Sequence, residues 1–276
     1  MTWIQPLGLD ALGSIADLCR RAITDPPSID ELEGALFVPD QAVAVLGQPD
    51  RGLVAIALCE DGPHLRLLVV DPEARGQGHG HALLEAAEEW ARTAGHHSLT
   101  TGADPPYFLW PGVPSGETDL LCLLERHHYA RVETNFNMDV DLGQLPDDPG
   151  GHALATVAER DEVDTWMAAQ WANWRPEVLR ALDKGNLVIS RQDGSGDITA
   201  FCAFEVNRVG FLGPVAVRLD LMGRGQGKAA LIGALHELRR RGRPSVSVCW
   251  VGPVVPYARV GGRVSDVHFV YRKDLG

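Results

Sequence analysis

A glycine-rich hexapeptide occurs twice in this chain, each time between an apolar run and a helical pattern. The first copy, Arg75-Gly76-Gln77-Gly78-His79-Gly80, is entered from Leu65 to Val70 and followed by an Ala/Leu-rich stretch ending at Gly95. The second, Met222-Gly223-Arg224-Gly225-Gln226-Gly227, is entered from Phe211 to Val217 and followed by a stretch ending at Gly242. A shift of 147 superimposes the three loop glycines, the terminal glycine, and Val70 on Val217, Ala82 on Ala229 and Leu84 on Leu231. Aligning the identical tetrapeptides at Arg75 and Arg224 would shift by 149 and shorten the second helix by two residues. Loop-to-terminus distance is a packing constraint, so the shift of 147 is preferred, and Met222 then takes the place of Arg75. Two loops in register with their strands and helices make an internal repeat, hence two domains.

Glycines in such a loop remove side chains, so successive backbone N–H groups converge on phosphate oxygens at the positive end of a helix. Arg75, Gly78 and Gly80 fit Gln/Arg-x-x-Gly-x-Gly/Ala, and Gly225 and Gly227 fit it in the second copy. With these residues the chain resembles the GNAT superfamily of acyl-CoA-dependent N-acetyltransferases. The segments Tyr107 to Val113, Gly210 to Pro214 and Trp250 to Tyr257 add a likeness to its tandem members. The resemblance implies two tandem α/β domains, 1–145 and 152–276, each a mixed, mostly antiparallel sheet with helices on both faces. It also implies acetyl-CoA as acyl donor and the primary amine of a small molecule as acceptor.

A chain of 276 residues is long enough for two ordinary cores, with 45% hydrophobic and 22% charged residues. The opening residues Met1 to Pro6 are not a secretory signal and no apolar run reaches membrane-spanning length, so a cytosolic protein without a membrane partner is expected. Five scattered cysteines (Cys19, Cys59, Cys122, Cys202, Cys249) read as reduced core residues; they show no metal-ligand spacing, and no metal is expected. The net charge of −12 is unevenly spread: residues 1–150 hold 8 Lys/Arg against 24 Asp/Glu, and residues 151–276 hold 17 against 13. An acidic first half is a poor nucleic-acid surface; a basic second half favours a phosphorylated cofactor.

The halves part at Leu145 to Gly151, where Pro, Gly and Asp cluster. Asn135 to Leu142 alternates like the closing strand of the first half, and Val267 to Tyr271 like that of the second. Helices are expected over Gly8 to Ile23, from Ser28 as N-cap, over Asp161 to Trp174 and over Pro176 to Leu182. Strands are expected at Gln41 to Val45, Leu53 to Cys59, Leu187 to Ser190 and Ile198 to Glu205.

Acetyl transfer from a thioester to an amine needs an anchored cofactor, a deprotonated amine and a stabilised thiolate. The resemblance assigns the first task to main chain on the fourth strands, Leu68 and Val70, then Val215 and Val217. It adds the loops, Arg75, Gly76, Gln77, Gly78 and Gly80, then Gly223, Arg224, Gly225, Gln226, Gly227 and Lys228. The family's acid is a tyrosine four residues before a glycine, which Tyr257 and Gly261 match; the same stretch of the first half puts Leu124 in its place. A leucine donates no proton, so catalysis is placed in the second half. Glu205 is the candidate base, with proton loss through ordered water as the alternative; His268 is a weaker candidate. His127 and His128 read as surface residues. Trp166, Trp171 and Trp174 fit either a pocket floor or packing.

A non-catalytic acyl-CoA sensor remains the competing reading, since Leu124 and Met222 leave each half one part short. Dinucleotide binding is disfavoured because each loop follows several strands and lacks an acidic ribose-binding residue about 20 residues on. A nucleotide kinase is disfavoured because neither loop ends in Gly-Lys-Ser/Thr.

Overall fold

The computed structural model describes residues 3–192, 194–223 and 227–276. Two compact units emerge, Met1–Asn135 with Val267–Gly276, and Phe136–Asp266. The first contains β1 (Gln5–Pro6), α1 (Leu12–Ala22), α2 (Ile29–Leu36), β2 (Val43–Gln48), β3 (Gly52–Cys59), β4 (Gly62–Val70), α3 (His79–Thr93), β5 (Ser98–Thr101), β6 (Val113–Pro114) and α4 (Thr118–Arg126). β7 (Ala130–Asp141) leads into the second, with β8 (His152–Leu154), α5 (Arg160–Gln170), α6 (Arg175–Asp183), β9 (Leu187–Arg191), β10 (Ile198–Phe204) and β11 (Phe211–Val217). After them come α7 (Gly227–Arg240), β12 (Ser245–Val248), α8 (Val254–Ala258) and β13 (Arg263–Asp274).

Each unit is a mixed, mostly antiparallel sheet. In the first, β1 to β4 pair antiparallel in order, β4 pairs β5 in parallel, and β5 pairs β13 antiparallel. In the second, β8 to β11 pair antiparallel, β11 pairs β12 in parallel, and β12 pairs β7 antiparallel. The spacing of Leu12, Ile15, Ala16 and Cys19 buries one face of α1. With α2 that face covers Leu53, Ala55, Leu67 and Val69, while α3 covers Val54, Ile56 and Leu65 on the other side of the sheet. Ser28 caps α2 in a reciprocal capping box with Glu31, as its sequence signals.

The domain limits differ from the sequence expectation in one respect. The strand expected to close the first half pairs β12 of the second unit from Met138 to Asp141. The final strand, expected to close the second half, pairs β5 of the first through Arg272, Lys273 and Asp274. Alternation identifies a strand with one buried face but carries no information on its partner. The stretch at 145–151 belongs to the second unit, where Asp148 accepts from Gly150 N–H at 2.8 Å and faces His152 at 2.7 Å.

Tyr271 lies in the first unit's core, packed with Leu99 and Leu124, and its hydroxyl donates to Glu125 at 3.2 Å. Tyr271→Ala should therefore cost the first unit about 3–5 kcal/mol, the range for removing a buried aromatic ring. Hydrogen exchange read by mass spectrometry should show loss of protection at Leu99 and Thr101 while Val246 and Val248 keep theirs. The reverse pattern would mean that the last strand serves the second unit.

Candidate functional site

The site is organised by one extra residue in each fourth strand. Opposite β3, Ile56 faces Leu65 and Ala55 faces Leu67, so Arg66 is a bulge. Opposite β10, Cys202 faces Val215 and Phe204 faces Leu212, which leaves one extra residue at Gly213–Pro214. The two bulges are 147 residues apart. Each flips the strand's faces, so Leu65 and Leu67 join opposite cores, as do Leu212 and Ala216.

At the same place the parallel neighbour departs. Among the described residues, β4 pairs β5 only at His64 and Leu65, and β11 pairs β12 only at Phe211 and Leu212. Beyond these residues one edge of each fourth strand has no paired neighbour among the described residues. Asp71 N–H bonds Arg51 and Arg218 N–H bonds Thr199, which fixes the alternation. It turns the main-chain groups of Leu68, Val70, Val215 and Val217 to the open edge. An extended polar chain can pair there, which is the part expected of these four residues. One group is already engaged: the Val217 carbonyl accepts the Trp171 indole N–H at 2.8 Å.

In the first loop Gly76 and Gly78 have φ of 74° and 83°, a left-handed region where glycine carries no steric cost. Gly78 is the N-cap of α3, and Ala82 N–H makes the first helical bond back to it at 3.1 Å. The N–H groups ahead of Ala82 thus form a cradle for an anion. Arg75 reaches back to the Ala22 carbonyl at 3.2 Å and Gln77 to that of Glu73 at 3.2 Å, so both flank the loop without filling it. In the second loop Gly223 has φ 75°, and Met222 N–H bonds Leu219 as Arg75 N–H bonds Pro72, in the same register. An added Cβ on Gly227 would stand 2.9 Å from Val217, matching the approach of Gly80 to Val70. Lys228 is exposed in the first turn of α7; Arg224, Gly225 and Gln226 lie outside the described residues.

Tyr257 sits on α8, buried in the second core among Cys202, Val215 and Val217. Burial, with a smaller contribution from Cys202, pushes its phenol up to about 12, so it is neutral and keeps its proton at physiological pH. Leu124 is fully buried in the first core. His128 has φ 63° where the second unit has Gly261 at 89°, so the two turns share one geometry.

Glu205 stands differently from the expectation of a base. Its Oε1 accepts from Arg243 at 2.7 Å and from Gly210 N–H at 3.0 Å, anchoring the β10–β11 turn at a residue with φ 47°. His268 is buried in the strand that completes the first unit, opposite Pro114. The tryptophans pack: Trp166 donates to Ile198 at 2.9 Å and meets Phe201 edge-on, and Trp171 stacks on Trp174. Sequence reading missed Arg66 and Asp104, an ion pair buried at the first bulge, where Arg66 also holds the Ala35 carbonyl and Gln41. Arginine within an apolar strand was the available signal.

Residues 20–106 match the acetyltransferase (GNAT) family. No curated protein sequence matches the chain. Among solved structures, the fold resembles the GCN5-related glucosamine N-acetyltransferase region of a fungal multi-domain GH3 β-N-acetylglucosaminidase (TM-score 0.78, 20% identity). That match covers 98% of this chain and 38% of the other, so this chain spans about two fifths of that protein's length. A tandem GNAT protein from the clavulanic acid biosynthesis pathway matches over 99% of this chain and 98% of its own (TM-score 0.74, 17% identity). A GCN5-related N-acetyltransferase from Sphaerobacter thermophilus matches over 99% and 95% (TM-score 0.69, 21% identity). At these identities the likeness is one of fold.

Beside the first loop, His81 Nδ1 meets His127 Nε2 at 2.6 Å, so His127 is half-buried against α3 rather than on the surface. Burial first, and His81 second, hold the His127 pKa below its ordinary value. The unfolded chain then binds the proton more readily, so this site's stability is complete above the unfolded pKa and is lost as pH falls toward the folded one. Between about pH 7.5 and about pH 5.5 the melting temperature should fall less in His127→Gln than in the native chain; equal falls would assign the loss to other groups.

Proposed function

We infer that this chain, an acetyltransferase with the GNAT fold present twice, moves an acetyl group from acetyl-CoA directly to the primary amine of a small molecule, with the chemistry in the second unit. The observation that carries the assignment is Tyr257, a neutral buried phenol on α8 where the first unit has Leu124. The bulges support it. At the second, Gly213 adds no side chain, whereas at the first the Arg66–Asp104 pair takes up the same position.

The donor's diphosphate fits the N–H cradle of the first loop, and Gly223 and Gly227 give the second the same framing. Its pantetheine arm would pair with the open edges at Val215 and Val217, and at Leu68 and Val70 in the first unit. The amine nitrogen attacks the thioester carbon, the carbon–sulfur bond breaks, and the sulfur takes the Tyr257 proton or a hydrogen bond from it. With Glu205 committed to its turn, the substrate ammonium loses its proton through ordered water, and the neutral amine then attacks. The competing reading, an acyl-CoA-binding module without chemistry, suits the first unit, where Leu124 and Arg66 stand. Because one similar structure is named a glucosamine N-acetyltransferase region, amino sugars lead the acceptor screen, followed by polyamines, amino acids and aminoglycosides.

Two experiments test this. Calorimetric titration with acetyl-CoA should find two sites per chain, and Gly78→Glu should remove one of them. A glutamate at φ 83° is strained and sets a negative charge where the phosphates go. Unchanged stoichiometry would make the first loop a turn only. In a free-CoA release assay, Tyr257→Phe should lower kcat by about 10²–10⁴ with acetyl-CoA affinity nearly unchanged. Full turnover in that variant would move the chemistry elsewhere.

A further inference from the structure

The β3–β4 hairpin of the first unit carries a constellation that acetyl transfer does not use. Cys59 ends β3, Asp61 lies in the turn, and His64 enters β4. Their donor atoms, one sulfur, one carboxylate oxygen and one ring nitrogen, lie within 4.8 Å of one another. Cys59 pairs Gly62 and Ala57 pairs His64 across the hairpin, so pleat alternation puts the Cys59 and His64 side chains on one face.

The histidine defines the site's polarity. His64 is buried, and its Nδ1 lies 2.9 Å from the Gly102 carbonyl, an acceptor, so Nδ1 carries the proton. In the neutral ring Nε2 is then a lone pair, yet it stands 3.0 Å from Asp61 Oδ1, another acceptor. Two acceptors at that distance need a cation to share, either a proton or a metal ion. A ring nitrogen fixed through a carbonyl on its far side is the usual outer support of a metal-bound histidine. The buried Asp104 adds negative charge nearby, although Arg66 takes part of it.

We propose that Cys59, Asp61 and His64 form a binding site for a borderline-soft divalent ion of the zinc type, which fastens the β3–β4 hairpin. Sulfur, nitrogen and oxygen donors together are a zinc ligand set, and in a tetrahedral zinc site they stand about 3.3–3.6 Å apart. Asp61 is exposed and can close the remaining distance by side-chain rotation. Coordination replaces the Cys59 S–H bond by a sulfur–metal bond and releases the proton to solvent. Water completes the fourth position. The metal would sit two residues ahead of the Arg66 bulge, at the root of the strand whose open edge carries Leu68 and Val70.

Cobalt(II) is the probe, since a thiolate ligand gives it an intense near-ultraviolet charge-transfer band. The full chain, stripped with chelator and titrated with Co²⁺, should develop that band with one ion per chain and lose it on adding Zn²⁺. Cys59→Ser should abolish the band, and Cys122→Ser, at an exposed cysteine, should leave it intact. Asp61→Asn alters an exposed turn residue and should keep the fold while weakening Co²⁺ binding by roughly tenfold or more. If a proton alone bridges His64 and Asp61, no band appears, and the proposal is overturned. A band that survives Cys59→Ser, or Co²⁺ affinity unchanged in Asp61→Asn, overturns it as well.

Discussion

One surplus residue in the fourth strand governs the architecture of each unit. A β-bulge breaks the ladder, adds twist and inverts which side chains face which core. Arg66 does this in β4 and Gly213–Pro214 in β11, and directly beyond each the parallel neighbour is lost. A strand edge without a neighbour presents unpaired N–H and C=O groups. In the first unit that edge leads, through a short turn at Pro72–Ala74, to the glycine loop and the N-terminus of α3. In the first unit the open strand edge and the N–H groups ahead of Ala82 therefore belong to one strand–loop–helix segment downstream of a single insertion.

The two units keep this frame and differ in what stands on it. Gly76 and Gly223 share their left-handed φ, and β5 and β12 are offset by the same 147 residues. At the first bulge an arginine goes into the interior, and a buried cation must be paired and hydrogen-bonded to be tolerated. Asp104, Gln41 and the Ala35 carbonyl meet that demand. The second bulge is a glycine, with no charge to satisfy, and its unit carries the phenol of Tyr257. The first unit thus buries a self-satisfied ion pair at its bulge and still leaves the strand edge beyond it without a neighbour among the described residues.

The last strands show how a repeat can be duplicated in sequence and redistributed in space. Phe136 to Asp141 packs with the second core and Val267 to Gly276 with the first. Buried side chains such as Met138 and Val140 in one, Tyr271 and Leu275 in the other, tie each strand to its unit. The glycines and apolar runs alone are indifferent to that choice.

Sequence alone determined the repeat register, the loops and most element positions, because those rest on local chemistry, and the fold class came through the family resemblance of the loops. Gly76 and Gly223 need φ that other residues resist, the Ser28 box satisfies its own helix end, and Leu12, Ile15 and Cys19 mark one helix face. The family resemblance picked out Tyr257 as the residue to examine. Only the tertiary structure decided the rest. It alone shows that Glu205 is bound to Arg243, 38 residues away, that Arg66 meets Asp104 at the same separation, and that each final strand joins the unit it does. Pairings of that kind depend on which surfaces the folded chain brings within hydrogen-bond reach. No local period or spacing in the sequence records them.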